Sequence, residues 1–300
     1  MNIIRTENLT KRYGDITAVD NVSMHVKEGE IYGFLGLNGA GKTTTIRLLL
    51  GLIKPDNGNC EIFGNSPEQA SGIWNDVGYL IETPHSYPNL SVWENLELFS
   101  QLRGLSDKKR SIDRIIEQLQ LGEYKDRKEK NLSMGNKQRL GLAKALIHKP
   151  KLLLLDEPIN GLDPAGIVEI RELLMDLAEN HNTTIFLSSH ILTEIAKIST
   201  RIGIIHNGKL IKEIETSELH RQIIRKVYIL TNDNEKACEI LLAKGYQVII
   251  KDDRLEAADK EALKKPENIS ALLAENQVPP KHLSIYEEDL EHYFLRIIKE

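Results

Sequence analysis

Residues 36–43 carry the stretch that decides the fold, and they read Gly36-Leu37-Asn38-Gly39-Ala40-Gly41-Lys42-Thr43. This spacing, G-x-x-x-x-G-K-[ST], is typical of a loop that wraps around the phosphates of a nucleotide. Glycines allow successive backbone N–H groups to turn toward phosphate oxygens, where a side chain would block the approach. An apolar run, residues 31–35, precedes the loop, and a helical pattern, residues 43–50, follows it. The N-terminus of that helix would attract the same anion.

This phosphate loop predicts that the chain binds ATP together with Mg²⁺. The Lys42 ammonium is expected to reach the β- and γ-phosphates, and the Thr43 hydroxyl to ligate Mg²⁺. A chance glycine turn is the alternative, but the strand before the loop and the helix after it favour the functional interpretation. The predicted nucleotide contacts in and after the loop are Gly36, Asn38, Gly39, Ala40, Gly41, Lys42, Thr43 and Thr44.

Two acids follow a second apolar run and predict hydrolysis. Residues 152–155 are four leucines, as expected of a strand buried on both faces of a parallel sheet, and Asp156 and Glu157 come directly after them. Asp156 is expected to hold Mg²⁺ through water, opposite Thr43. Glu157 is then placed to orient and deprotonate the attacking water. An apolar run before Asp-Glu is common by itself, so the prediction depends on the phosphate loop.

The alternation of short apolar runs with helical patterns predicts an α/β chain with a P-loop NTPase core. We expect residues 1–218 to form a nucleotide-binding domain, with a helical subdomain inserted at about residues 83–150. Residues 219–300 restart as a small C-terminal α+β domain, whose element order, βαββαβ, is that of a ferredoxin-like module. The composition, 41% hydrophobic and 28% charged, is that of an ordinary globular protein.

A further motif, residues 132–139, reads Leu-Ser-Met-Gly-Asn-Lys-Gln-Arg and lies just before a helical run. With the phosphate loop and the Asp-Glu pair, this signature stretch makes residues 3–215 resemble the nucleotide-binding subunits of ATP-binding cassette (ABC) transporters. The resemblance implies that Ser133, Gly135 and Asn136 grip the γ-phosphate held by an opposite subunit. Two copies would then meet head to tail as a homodimer, with two ATP molecules between them.

The same resemblance implies roles for three more residues. Asp163 matches a loop that helps to join the two sites of the dimer. His190, in Ser-Ser-His, matches the histidine that contacts the γ-phosphate and positions Glu157. Tyr13 matches the aromatic residue that stacks on adenine. A single histidine or tyrosine is usually structural, so these roles depend on position within the family pattern.

The chain departs from the family pattern at three positions. Met134 and Asn136 replace a glycine and a glutamine of the usual signature. Glu82 stands where the family has the glutamine that touches Mg²⁺ and the attacking water. Glutamate can ligate Mg²⁺ too, and it adds a negative charge beside the metal; the alternative is a solvated loop acid. Together with residues 84–90 and 288–295, these departures resemble the subfamily serving export of, or immunity to, bacitracin- and lantibiotic-type peptides.

The expected partners follow from the same family resemblance and from the chain's own composition. No apolar run approaches the roughly 18 residues that span a bilayer, so transport would require a separate integral membrane permease. We expect the chain in the cytoplasm, peripheral at the inner face of the cell membrane. The net charge of −5 gives no global attraction for nucleic acid. The alternatives are a soluble ABC-type ATPase acting on ribosomes or DNA, and a catalytically silent nucleotide sensor.

Overall fold

A computed structural model describes residues 1–68, 71–82 and 86–299. The chain divides into two compact units, Met1–Glu218 and Leu219–Glu300. Thr83, Pro84 and His85, at the predicted start of the helical insertion, lie outside the described residues, as does the last residue of the second predicted domain.

The first unit contains two sheets. Its strands are β1 (Asn2–Tyr13), β2 (Ile16–Lys27), β3 (Ile31–Leu35), β4 (Asn57–Ile62), β5 (Val77–Leu80), β6 (Leu152–Asp156), β7 (Thr184–Ser189), β8 (Arg201–His206) and β9 (Lys209–Glu215). Six strands form the main sheet in the order β5-β6-β7-β3-β8-β9, with only β9 antiparallel. The other sheet is antiparallel, in the order β2-β1-β4.

The central strands of the main sheet explain where the site lies. Every residue of β3, β6 and β7 is buried, which is why their sequences are short continuous apolar runs. Leu35 pairs with Ser189, and Asp156 pairs with Ser188, so the carboxyl ends of these parallel strands meet at one edge. The phosphate loop leaves β3 at this edge. Topology alone therefore brings the loop to the two acids predicted from the sequence.

Helices complete the first unit. They are α1 (Lys42–Leu49), α2 (Val92–Leu102), α3 (Lys108–Gln118), α4 (Met134–Leu146), α5 (Pro164–His181), α6 (Leu192–Ile198) and α7 (Thr216–Gln222), and the boundary between the units falls within α7. Ile46, Leu48 and Leu49 of α1 belong to one buried cluster with residues of both sheets. This packing fixes α1, and with it the N-terminus that follows the phosphate loop.

The helical region confirms one helix start and corrects both ends of another helix. The sequence Ser91-Val92-Trp93-Glu94 predicts a capping box, and Ser91 and Glu94 form it at the start of α2. The apolar spacing of residues 111–121 predicts a helix that Gly122 stops, but the observed helix differs at both ends. It starts at Lys108 behind the Asp107 cap and ends at Gln118. Gln120 adopts the left-handed conformation, φ 53°, and takes the terminating role usually filled by glycine.

The second unit has one antiparallel sheet. Its elements are β10 (Arg225–Leu230), α8 (Asn234–Ala243), β11 (Val248–Lys251), β12 (Arg254–Ala257), α9 (Lys260–Lys264), α10 (Pro266–Glu275), β13 (His282–Glu287) and α11 (Leu290–Ile297). The sheet order is β11-β12-β10-β13, so the first strand lies between the third and the fourth. This is the ferredoxin-like arrangement expected from the element order, with α9 and α11 added. Within the described residues, no helix is both long and apolar enough to cross a membrane.

Candidate nucleotide-binding and hydrolysis site

A cavity of about 360 Å³ lies at the carboxyl edge of the main sheet. We call it the catalytic cavity. It is lined by Thr43, Glu82, Met134, Gln138, Asp156, Glu157, Asn160 and Gly161. The structure therefore brings together both predicted acids, the predicted metal-ligating hydroxyl and the unusual glutamate, although they come from separate parts of the sequence.

The phosphate loop is closed on itself by Lys42. Its ammonium is buried and donates hydrogen bonds to the carbonyl oxygens of Gly36, at 2.7 Å, and Leu37, at 3.3 Å. Gly41 has φ 109°, and a Cβ there would lie 2.3 Å from the Ala18 carbonyl oxygen. Only glycine fits this close approach. Of the other predicted contacts, Asn38 and Gly39 are exposed, Ala40 is buried, and Thr44 is half-buried in the first turn of α1.

Thr43 and Asp156 form a pair suited to Mg²⁺. The Thr43 hydroxyl donates to Asp156 Oδ2 at 2.6 Å, and the Ser188 hydroxyl donates to the other carboxylate oxygen. Among the described residues, no group of three His, Cys, Asp or Glu could hold a metal alone. This fits Mg²⁺, which is usually held by one or two protein oxygens, waters and substrate phosphates. The donor set therefore suits Mg²⁺ brought in with a nucleotide.

Glu157 lies between the Lys42 ammonium and the His190 imidazole. Its Oε1 is 3.3 Å from Lys42 Nζ, and its Oε2 is 3.0 Å from His190 Nδ1. Its backbone is left-handed, with φ 50°, and its N–H donates to the Ser188 hydroxyl at 3.1 Å. The side chain is only partly buried, so its carboxylate is fixed in place and still accessible to water. Position and orientation suit a general base.

Glu82 does not contact the Thr43–Asp156 pair directly. Its carboxylate is ion-paired with Arg47, although it lines the same cavity. Arg47 lies one helical turn after Thr43 on α1, so the two side chains share a face of that helix. The extra negative charge at position 82 is therefore balanced by a cation next to the proposed metal site. Glu82 also has a left-handed backbone, with φ 53°.

The predicted signature residues lie in a different cavity, of about 880 Å³, which we call the signature cavity. The Ser133 hydroxyl caps α4 by accepting from the Asn136 N–H at 3.2 Å. Asp163 caps α5 in the same way, accepting from the Gly166 N–H at 3.0 Å. Ser133, Gly135, Asn136 and Asp163 all line this cavity and do not line the catalytic cavity. The two predicted halves of a nucleotide site thus line two adjoining cavities of one subunit, which share Met134 and Gly161.

Tyr13 lies at the end of β1, where it pairs with Ile16. Its ring is 46% exposed, and the Lys11 ammonium is 5.6 Å from the ring centre. The following strand, β2, contacts the phosphate loop, since the Ala18 carbonyl lies against Gly41. An exposed ring near the loop is what the predicted stacking on a base requires.

Sequence reasoning missed three residues that organise the site. Gln138 is buried and donates to the carbonyl oxygens of Glu157 and Pro158, at 3.1 and 3.0 Å. Ser188 bridges Asp156 and the Glu157 backbone, and Arg47 balances Glu82. Gln138 and Ser188 stand in stretches that the sequence had already singled out. The signal for Ser188 was a polar side chain at the end of an apolar run, whereas Gln138 showed no comparable signal.

Comparisons with known proteins agree with this geometry. A family model described as ABC transporter matches residues 19–160. The bacitracin transport ATP-binding protein BcrA of Bacillus licheniformis is 42% identical over 301 residues, covering 99% of this chain and 97% of that protein. The lantibiotic transport ATP-binding protein SrtF of Streptococcus pyogenes is 39% identical over 213 residues, covering 71% of this chain and 91% of that protein. The similarity to BcrA therefore extends through the second unit.

A solved structure has a similar fold. It is the dimeric post-hydrolysis state of the ATP-binding cassette MJ0796, bound to ADP and Pi. The TM-score is 0.66 at 25% sequence identity, and the match covers 71% of this chain and 98% of that chain.

Proposed function

The chain belongs to the ABC transporter family of ATP-binding subunits, and from this we propose that Glu157 is the base that hydrolyses ATP held by the phosphate loop. The family membership makes the chain an ATPase that works with a membrane permease. One observation carries the residue assignment: Glu157 is held between Lys42 and His190, beside the Thr43–Asp156 pair. A buried lysine, a metal-ligating pair and an accessible carboxylate meet in one cavity.

The chemistry follows from what each side chain can do. Lys42 exchanges its contacts with loop carbonyls for the β- and γ-phosphate oxygens of ATP. Thr43, Asp156 and Glu82 would hold Mg²⁺ brought in with the nucleotide, and the ion would supply positive charge to neutralise the phosphates. Glu157 accepts a proton from a water that attacks the γ-phosphorus, and the bond to the ADP oxygen breaks. His190 keeps the carboxylate turned toward that water.

The signature cavity supports a homodimer. Ser133, Gly135 and Asn136 lie at the N-terminus of α4, where free N–H groups and the helix dipole favour an anion. None of these three residues lines the adjoining catalytic cavity, whereas all three line this cavity. We assign it to the γ-phosphate bound by a second copy of the chain, with Asp163 at the junction between the two sites and Tyr13 stacked on adenine.

The cargo class rests on the relatives. BcrA and SrtF are described as bacitracin and lantibiotic transport proteins, and both cargoes are peptide antibiotics. We assign this chain to export of a peptide antibiotic, at the inner face of the cell membrane, through a permease. No observation on the described residues favours a ribosome- or DNA-directed ATPase. Intact Lys42, Asp156, Glu157 and His190 argue against a silent nucleotide sensor.

The assignment of the base is tested with Glu157→Gln. The amide cannot accept the proton, so steady-state phosphate release should fall by more than about 100-fold. ATP binding should remain, and the ATP-bound dimer should accumulate on size-exclusion chromatography. Glu179→Gln, the same change at an exposed position of α5, is the matched control and should behave as wild type. Wild-type hydrolysis by Glu157→Gln would show that another group is the base.

The cargo is tested in cells that express the chain together with its permease. Survival at raised concentrations of bacitracin or a lantibiotic, lost in Glu157→Gln, would support peptide export. Equal sensitivity of cells with and without an active chain would contradict it.

A further inference from the structure

Gln138 connects α4 to the turn that carries the proposed base. Its side chain is 4% exposed, and its amide donates to two successive carbonyl oxygens, those of Glu157 at 3.1 Å and Pro158 at 3.0 Å. A primary amide has two N–H groups, and two acceptors are in place for them. Because the donating side chain is itself buried, neither hydrogen bond is readily replaced by water.

The backbone that Gln138 holds is strained. Glu157 has φ 50°, a conformation that few residues other than glycine adopt, and a proline follows it. Such a conformation persists only where the surroundings over-determine it. Here three hydrogen bonds hold it. The Glu157 N–H donates to the Ser188 hydroxyl, and the Glu157 carbonyl oxygen accepts from the Asn160 N–H and from the Gln138 amide. The direction of the Glu157 side chain depends on these contacts.

The other end of the connection is the signature cavity. Helix α4 starts at the Ser133 cap, and Gln138 follows little more than one turn later on the same helix. Ser133 lines the signature cavity, whereas Gln138 lines the catalytic cavity. A helix transmits a small shift at its first turn to the next turn almost unchanged, because its backbone hydrogen bonds are continuous. A displacement of Ser133 therefore also displaces Gln138.

We propose that Gln138 is a positioning residue that couples the signature end of α4 to Glu157 of the same subunit. When Ser133 and Gly135 bind the ATP held by the partner subunit, α4 is fixed in position. The Gln138 amide of α4 then fixes the position of the Glu157 backbone. Each subunit then aligns its own base only when its signature cavity is occupied, which makes hydrolysis at the two sites of the dimer interdependent. This inference rests on the proposed function of Glu157 and of the signature cavity.

The first test is Gln138→Met, which keeps the length and bulk of the side chain and removes both donors. The kcat for ATP should fall by about tenfold to a hundredfold, the size expected when a catalytic group is misplaced by about 1 Å. The KM should stay within about twofold, because the phosphate loop is untouched. The Hill coefficient should fall toward 1 from a wild-type value above 1. Gln118→Met, at an exposed position of α3, is the matched control and should leave all three values unchanged.

The second test separates positioning from a general structural role. If Gln138 acts through Glu157, adding Gln138→Met to Glu157→Gln should slow the residual hydrolysis no further and should leave the ATP-trapped dimer intact. A slower double variant, or loss of that dimer, would overturn the proposal. Wild-type kcat and Hill coefficient in Gln138→Met would overturn it too.

A third variant keeps the proposal testable if Gln138→Met misfolds. Gln138→Glu has the shape of the native side chain, but at neutral pH its carboxylate faces two carbonyl oxygens and donates to neither. Its kcat should fall at least as far as that of Gln138→Met, with the KM again nearly constant; a kcat near wild type would overturn the proposal. Failure of the proposed function is recognised separately, because Glu157→Gln alone would then hydrolyse ATP at the wild-type rate.

Discussion

Both units contain a glutamate held between two basic side chains, and the two arrangements are built differently. In the first unit, Glu157 is 3.3 Å from Lys42 and 3.0 Å from His190. In the second, Glu256 is 2.6 Å from Lys226 and 3.7 Å from Arg254. The Glu157 side chain is 21% exposed and the Glu256 side chain 3%. Two basic side chains thus surround an accessible carboxylate in one unit and an enclosed one in the other.

The backbone shows why the two acids differ. Glu157 follows the end of a buried strand, in a left-handed conformation that opens toward the catalytic cavity. Glu256 lies within β12, in regular antiparallel register with Tyr228 on one side and Ile249 on the other. The first arrangement uses a strained backbone to keep the proposed base accessible, whereas the second uses its charges to stabilise a sheet. Removing a cation from each should therefore affect different properties.

The largest effect is expected from Lys42→Met. Loss of the ammonium removes the cation for the β- and γ-phosphates, so hydrolysis should fall by more than about 100-fold. ATP affinity, measured by calorimetry or with a fluorescent nucleotide, should fall as well. Retention of tight ATP binding would show that the phosphate loop binds ATP without its lysine. It would also remove the difference expected between Lys42 and its counterpart in the second unit.

Lys226→Met is the matched change in the second unit. It leaves Glu256 enclosed with only the more distant Arg254, so it should lower the free energy of unfolding by about 2 kcal/mol. Hydrolysis per folded molecule should remain within about twofold of wild type. Hydrogen exchange should speed up in β10, β12 and β13 and stay unchanged in β6 and β7. A large loss of hydrolysis would contradict the separation between the two acids.

In the first unit, the site residues were easier to predict from the sequence than some of the strands around them. The phosphate loop, Asp156 and Glu157 follow short apolar runs, and parallel strands bring their carboxyl ends together, so topology placed them correctly. Strands β1 and β2 were not predicted. Each has twelve residues. In β1 polar and apolar side chains are mixed and register shifts interrupt the alternation that marks a strand, whereas residues 22–27 of β2 alternate regularly and carried a strand signal.

Contacts between residues that are far apart in the chain could not be predicted from the sequence. Arg47 on α1 shows no pattern that points to Glu82, and Gln138 resembles any polar residue of a helix until the fold packs it against Glu157. In the second unit the order of elements was predicted but α9 was missed. Its five residues are too few to show a helical period.

A smaller effect is expected from Arg47→Met. It leaves the Glu82 charge uncompensated beside the phosphates, so the KM for Mg·ATP should rise by up to about fivefold, the range of an exposed ion pair. Because a glutamine at position 82 carries no charge, the double variant Arg47→Met/Glu82→Gln should recover most of the affinity. If steady-state kinetics show no recovery, Arg47 acts through a contact other than Glu82.

A pH effect distinguishes the units further. Burial, with Arg103 nearby, lowers the pKa of His148 from 6.5 to about 4. The unfolded chain therefore takes up this proton below about pH 6.5 and the folded unit only near 4, so the first unit loses stability as pH falls between these values. In the second unit, the Arg296 hydrogen bond lowers the pKa of Glu288, whose contribution is lost only at lower pH.

Tryptophan fluorescence can follow this effect in the first unit alone, since the chain's two tryptophans, Trp74 and Trp93, both lie there. His148→Gln should move the acid unfolding midpoint of this signal to lower pH. Glu288→Gln should leave the tryptophan midpoint in place. A midpoint that responds to Glu288→Gln and ignores His148→Gln would reverse the predicted order of acid sensitivity.

The smallest effect is expected from Asp253→Gly, and it tests the comparison of strain directly. Asp252 and Asp253, at φ 47° and 58°, form the two-residue turn between β11 and β12, where Lys251 pairs with Arg254. This turn favours glycine at its second position, so the change should raise the free energy of unfolding by about 0.5 kcal/mol. Hydrolysis should not change, because left-handed backbone here closes a hairpin and directs no catalytic group. The same relief of strain at Glu157 should not be neutral, since the strained residue there is itself the proposed base. A change in kcat on Asp253→Gly would show that the second unit influences the catalytic cavity.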